Sequence, residues 1–308
     1  MVQHCFGAIV REQRTRMHIS QEELSDGLCA VSTLSKIESG KADPHRSLAL
    51  ALLDKLDLPQ SILYVPVTES EAKRAIIEVE IRNRHRNRDF DTAELLEEYK
   101  NVSSEMTVIE QQFYNFFSLD SINSSLSLEE KEKFLIETLR LTVCDFSLDM
   151  DFTNKYLSSS ELDFVLKIIT ILHFEKKISE SISLAERLKE YIENKKIKTD
   201  INIMIYLTNM NNLAIYYGIA EDFEKSCKYC DEGLKVCNKY NQYRWVPNLL
   251  YVKGFDLLKM NKDEGKKIVR DSFIMNKIYN QSFYFNENKE DFIEYFGREM
   301  WNEIEREI

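Results

Sequence analysis

The residues with the clearest chemical purpose lie between Ser20 and Arg46. Ser20-Gln21-Glu22-Glu23 is a capping box, in which the Ser hydroxyl takes the N3 amide and the N3 carboxylate reaches back to the cap. It opens a helix with Leu24 and Leu28 facing inward. After a short turn at Cys29-Ala30 comes Val31-Ser32-Thr33-Leu34-Ser35-Lys36-Ile37-Glu38, and Ser39-Gly40 stops that helix with Gly at C′. Leu34 and Ile37 share one face and should pack on Leu24 and Leu28. The other face keeps Val31, Ser32, Ser35 and Lys36, short and polar enough for a helix to lie in the major groove of duplex DNA.

Other reactive residue types form no comparable set. Cys227, Cys230 and Cys237 fall at i, i+3 and i+10 of one helix, near one face. A metal site wants a fourth ligand and a paired CxxC or a nearby His, and neither is present, so core packing is the expected role and a redox or metal sensor the rival one. The five histidines (4, 18, 45, 85 and 173) are scattered. No GxxxxGK[ST], GxGxxG, GxSxG or HExxH occurs, and paired carboxylates in an acidic helical chain read as solvated faces. No enzyme and no cofactor are expected. Arg82, Arg84, His85, Arg86 and Arg88 form a basic run, read either as a solvated face or as a contact to acidic surface or DNA phosphates.

The elements that position these residues should be helices. Eight Gly and four Pro in 308 residues make about 4%, against roughly 12% in average usage. Sandwiches, barrels and doubly wound folds need more turn residues than that, and no segment alternates with period two. The fold class expected is all-α. No run of 18 apolar residues occurs, and Arg11, Arg14 and Arg16 interrupt any signal-peptide core, so a cytoplasmic protein without a membrane partner is expected. Of the net charge of −11, residues 1–66 carry −1 from seven Lys/Arg and eight Asp/Glu. The front module is therefore near neutral and would meet DNA through a local basic face only.

A break near Tyr64-Val65-Pro66-Val67 separates residues 1–66 from 67–308. Further capping boxes start at Thr68…Glu71, Ser127…Glu130 and Ser158…Glu161. Segment 212–234 reads as helix, tight turn at Ile219-Ala220-Glu221-Asp222, then helix, with Ala214 and Ser226 where two helices must approach closely. Similar turns occur at Arg88–Asp91, Glu175–Ile178 and Asn261–Glu264, with a degenerate unit near Ser127–Leu141. The unit resembles the tetratricopeptide repeat with lengthened helices. About five such pairs would stack into a superhelical array with a concave groove, closed by a capping helix in 291–308.

SQEELSDGLCAVSTLSKIESGKADP (residues 20–44) resembles the helix-turn-helix of the Xre/Cro repressor class. Its form, joined to a tetratricopeptide-like second region, is similar to that of the PlcR/Rgg group of quorum-sensing regulators, transcription factors that bind a short signalling peptide. The resemblance implies phosphate contact by Gln21, base reading around Val31, Ser32, Thr33, Ser35 and Lys36, and backbone contacts by Ser39, Lys41 and Arg46. It also implies an Arg14–Glu38 ion pair tying the first helix to the third. For the repeats it implies a groove that holds a peptide main chain, lined by Lys167, Thr170, Thr208, Asn211, Asn212, Ile215, Asn248, Tyr251 and Phe255. An Asn amide both donates and accepts, which suits an extended backbone. The partners implied are double-stranded DNA at a palindromic operator, a short signalling peptide and a second copy of the chain in a homodimer. A rival reading keeps the DNA module and gives the repeats a protein partner or dimerisation alone.

Overall fold

Side-chain caps decide where most helices of the first half begin. In the computed structural model, which describes residues 6–58, 68–102, 105–195 and 200–308, the chain falls into two compact units, Met1–Glu175 and Lys176–Ile308. The expected domain boundary at 66, the break at 64–67, Cys5 and His4 lie outside the described residues.

The first unit holds α1 (Phe6–Arg16), α2 (Gln21–Ser25), α3 (Val31–Glu38), α4 (Arg46–Lys55), α5 (Glu69–Arg86), α6 (Ala93–Asn101), α7 (Val108–Ser118), α8 (Leu128–Leu139) and α9 (Ser159–Phe174). Capping boxes start α2, α5, α8 and α9 at Ser20, Thr68, Ser127 and Ser158, as their spacing predicts. A fifth, Thr107 with Glu110, starts α7. The front module closes on Val10, Ile19, Leu24, Leu34, Ile37, Leu48, Leu52 and Leu56, a continuous core of one short helical bundle. Leu28 and Cys29 pack against it, as does Tyr156 from the irregular segment before α9.

Several polar contacts then fix this module to the later helices of the same unit. Ser159 at the start of α9 donates its hydroxyl to Asp54 Oδ1 (2.7 Å) and its backbone N–H to Oδ2. The hydroxyls of Ser47 and Thr107 lie 3.1 Å apart. Gly27, at φ +69°, sits so close to Thr142 that an added Cβ would lie 1.7 Å from its carbonyl oxygen, so only glycine fits there.

The second unit holds α10 (Ile178–Asn194), α11 (Asp200–Ile219), α12 (Phe223–Tyr240), a 3-10 turn (Tyr243–Trp245), α13 (Val246–Lys259), α14 (Glu264–Ile278), α15 (Ser282–Phe296) and α16 (Arg298–Glu305). From α10 to α14 each helix packs on the next. The architecture is all-α, with tetratricopeptide-like helix pairs and no strand among the described residues. The four expected turns are present, and each contains a non-glycine residue in the left-handed region: Arg88, Lys176, Glu221 and Asn261. At Arg88, Glu221 and Asn261 the reversal lays α6 on α5, α12 on α11 and α14 on α13. The pair α13/α14 approaches most closely at two glycines, where a Cβ on Gly265 would lie 2.5 Å from Gly254 O. The terminal stretch breaks at Gly297 (φ +87°), and the helix after it, α16, packs on α14 as the cap. Phe292, Trp301 and Ile304 of that stretch join Tyr251, Leu258, Val269 and Phe273 in a single core.

Candidate functional site

The turn between α2 and α3 presents α3 with one face locked and the other open. Leu34 and Ile37 are buried, while Val31 (43% exposed), Ser32, Ser35 and Lys36 face solvent and Thr33 is half-buried. Glu38 anchors the inner side. Arg14 donates to it through Nε (2.6 Å) and Nη2 (2.9 Å), Gln21 through Nε2 (2.7 Å), and Arg14 Nη1 also reaches Ile19 O (2.7 Å). Burial would raise the Glu38 carboxyl, but the bonds from Arg14 and Gln21 outweigh it and hold the group below the usual range. The ion pair expected between the first and third helices is thus present, and it fixes the pitch of α3.

The remaining residues of this face divide. Lys41 and Ser39 are exposed, Ser39 donating its hydroxyl to Lys36 O (3.1 Å). Gln21 is drawn inward by Glu38. Arg46 is drawn away as well: its N–H donates to Glu71 Oε1 (2.7 Å) and its guanidinium to Glu78 Oε2 (3.4 Å), both on α5. The exposed residues of this face are therefore Val31, Ser32, Ser35, Lys36, Ser39 and Lys41, with Gln21, Thr33 and Arg46 half-buried. The basic run on α5 also turns inward in part. Arg82 lies over the Phe113 and Phe117 rings (5.0 and 5.5 Å), Arg84 bonds Glu80 and Asp91 O, and His85 is wedged edge-on against Phe90 and Phe117.

Of the nine residues expected to line a groove, Lys167 and Thr170 belong to the first unit and the rest to the second. Lys167 is committed internally, donating to Phe116 O (3.1 Å) and Asp120 Oδ2 (2.7 Å), and Thr170 donates to Leu166 O. On α11, Met204, Thr208, Ile215 and Ile219 form an accessible stripe at helical spacing. Asn212 is half-buried beside it. Asn211 is buried, and its Oδ1 accepts no hydrogen bond among the described residues. On α13, Asn248 is half-buried with the same orphaned Oδ1.

Tyr251 departs from the expectation. It lies in the core under α15, with its hydroxyl donated to Asn288 O (2.9 Å) and Asp291 Oδ2 (2.6 Å). Phe255 keeps one side accessible and packs the other on Phe296 and Tyr295 (4.9 and 5.3 Å). Four residues further along the same stripe, Lys259 was not anticipated. The only hint in the sequence was its i+4 spacing from Phe255.

Of the α12 cysteines, Cys230 and Cys237 are core residues and Cys227 is half-buried. Cys230 and Cys237 are fully buried, and desolvation pushes the Cys227 and Cys237 thiols up to about 11. Thiols so placed are protonated at neutral pH. No helix among the described residues is long and apolar enough to cross a membrane.

These features define a helix-turn-helix module: residues 10–59 match the helix-turn-helix family model. The fold extends the likeness to nearly the whole chain. It matches Bacillus thuringiensis PlcR, whose crystal structure contains the peptide PapR7 and DNA, with 17% identity, 94% of this chain and 99% of that one covered, and a TM-score of 0.59. Streptococcus dysgalactiae Rgg2, an SHP pheromone receptor, gives 16% identity, coverages of 94% and 98%, and a TM-score of 0.46. ComR from S. thermophilus, in its apo form, gives 18%, 93%, 97% and 0.46. No curated protein sequence matches the chain.

Proposed function

We propose that this protein is a cytoplasmic, peptide-responsive transcription regulator that binds a palindromic operator as a homodimer. The observation that carries the reading is α3: its inner face is locked by Leu34, Ile37 and the Arg14–Glu38 pair, and its outer face is open. Ser32, Ser35 and Lys36 would meet base edges, and Val31 a thymine methyl. Ser39 and Lys41 would meet phosphates, which set register without reading sequence. Two copies on two half-sites would multiply a weak single-module affinity.

The ligand side of the reading rests on Thr208, Asn211, Asn212, Ile215, Asn248 and Phe255. The PlcR structure, similar in fold, contains both a peptide and DNA, which favours a ligand of the same kind here. Two amide oxygens have no donor among the described residues; both are shielded from solvent, so the N–H groups of an extended peptide would take them once these side chains turn outward. Peptide occupancy and DNA affinity would then be linked reciprocally.

Selection from randomised duplexes with the full-length protein tests the front half. Lys36→Ala should lose roughly 1–3 kcal/mol on the selected site, whereas Lys41→Ala should weaken all duplexes alike and flatten the salt dependence. A Lys36→Ala protein that binds selected and random duplexes as the parent does would end the α3 assignment.

A further inference from the structure

In the second unit one ammonium is enclosed by three rings and makes no ion pair among the described residues. Lys259 Nζ lies 4.5 Å from the Tyr295 ring centroid, 5.0 Å from Phe255 and 5.4 Å from Phe223, side chains supplied by α15, α13 and α12. It makes no hydrogen bond and no ion pair among the described residues. Lys100 and Lys239 each lie over a single ring without an ion pair among the described residues, and four further lysines over rings are built differently. Lys167, Lys189, Lys225 and Lys289 each also hold a carboxylate, that of Asp120, Glu193, Asp222 and Glu305 respectively. The carboxylate whose charge acts on Lys259 is Asp256, buried at the preceding turn and short of ion-pair distance.

Rings hold a cation without consuming its donors. Three N–H groups remain, and a carboxylate is their strongest common acceptor. The position along α13 adds a ruler. Asn248 and Lys259 are eleven residues apart, so they fall on one stripe with Phe255 between them, separated by roughly 16 Å of helix rise. An extended peptide covers that distance in about five residues. Tyr295 (58% exposed) and the accessible side of Phe255 flank the ammonium with apolar surface.

We propose that Lys259, with Phe223, Phe255 and Tyr295, recognises a carboxylate on the peptide ligand, about five residues from the part that meets Asn248. This deepens the peptide reading and rests on it. The carboxylate is either the peptide's C-terminus or an Asp or Glu side chain, with an apolar neighbour against the rings.

Immobilised full-length protein, presented with pooled random heptapeptides and read by mass spectrometry, tests it. The pools are free acids, C-terminal amides, and amides lacking Asp and Glu. The acid-free amides should be recovered about tenfold less than the free acids. Amidation alone produces that loss if the C-terminus is read, whereas enrichment of Asp or Glu at one position of the captured amides marks a side chain. Lys259→Met should abolish the preference and Lys259→Arg should keep it, with helical circular dichroism unchanged. Equal recovery of acid-free amides by the unmodified protein, or a preference that survives in Lys259→Met, overturns the carboxylate site while leaving peptide binding intact. No capture from any pool overturns the peptide reading itself.

Discussion

In the first unit, Arg74 is 4% exposed and every side of its guanidinium is occupied, by Glu110 Oε2 (2.7 Å), Glu105 O (3.1 Å) and Tyr99 O (3.3 Å). Arg14 with Glu38, Lys167 with Asp120, and Asp54 with Ser159 repeat that pattern. In the second unit several comparable buried atoms go without: Oδ1 of Asn211 and Asn248, Nδ2 of Asn288 and both amide atoms of Asn276 find no hydrogen-bond partner among the described residues. A buried polar atom left unsatisfied costs about 1–3 kcal/mol. Two regions of one helical chain thus treat burial differently. The first fixes the pitch of α3 through paired charges, although His85 Nε2, Thr92 Oγ1 and Glu161 Oε1 also lack partners among the described residues, and the second leaves more such capacity unfilled, chiefly on its asparagines.

The contrast breaks most visibly at Arg74. Arg74→Ala leaves the Glu110 carboxylate buried without its partner, and about 3–5 kcal/mol should be lost. Urea unfolding of the full-length protein at neutral pH measures this. A loss below about 1 kcal/mol would mean that the frame is no more closed than the second unit.

Acidity sharpens the comparison next, because Glu38 and Asp256 titrate in opposite senses. Glu38 is held below its ordinary value, so its contribution is present above the unfolded pKa and fades as the pH falls. Burial pushes Asp256 up to about 6, against the lowering effects of the Ser226 hydroxyl and Lys259. The folded protein therefore holds a proton there that the unfolded chain releases near pH 4. Stability from Asp256 is present below that pH and is lost as the pH rises through about 6. Asp256→Asn cannot ionise, so relative to the parent it should gain on the order of 2 kcal/mol between pH 4.5 and 7.5. Urea midpoints at the two pH values decide it, and an offset that does not change with pH removes Asp256 as the source.

What was legible follows from locality. Caps at Ser20, Thr68, Ser127 and Ser158 are decided within four residues, so their spacing placed four helix starts. Thr107…Glu110 has the same spacing and was legible on the same ground, with β-branched Val108 and Ile109 between the two capping residues. The inner face of α3 was equally readable from Leu34 and Ile37. Distant partners were not readable. Gly27 looks like an ordinary turn glycine, and its constraint comes from Thr142, 115 residues later. The segment after α8 buries Val143, Phe146, Met150, Phe152 and Leu157; the first three keep the i, i+3, i+7 spacing of a helix, yet the segment is built of turns. Tyr251 reads as a groove residue until α15 is seen to cover it, and the rings that gather round Lys259 come from three helices.

The smallest expected effect lies where α4 meets α9. Ser158 accepts from the Glu161 N–H (3.3 Å), and Glu161 Oε2 accepts in return from the Ser158 N–H (2.6 Å). Removing an N-cap hydroxyl usually costs about 1 kcal/mol. Here a second carboxylate, Asp54 of α4, already takes the next N–H and the Ser159 hydroxyl, so the helix start stays partly capped after Ser158→Ala. Its loss should therefore stay near 1 kcal/mol, and it should grow in an Asp54→Ala background because the two caps serve one helix end. The first helix of the second unit, α10, has no side-chain cap at Lys177 and offers no equivalent change. If the two substitutions simply add in urea unfolding, Asp54 is not sharing the work of holding α9, and the front module is fixed to its frame by the remaining contacts alone.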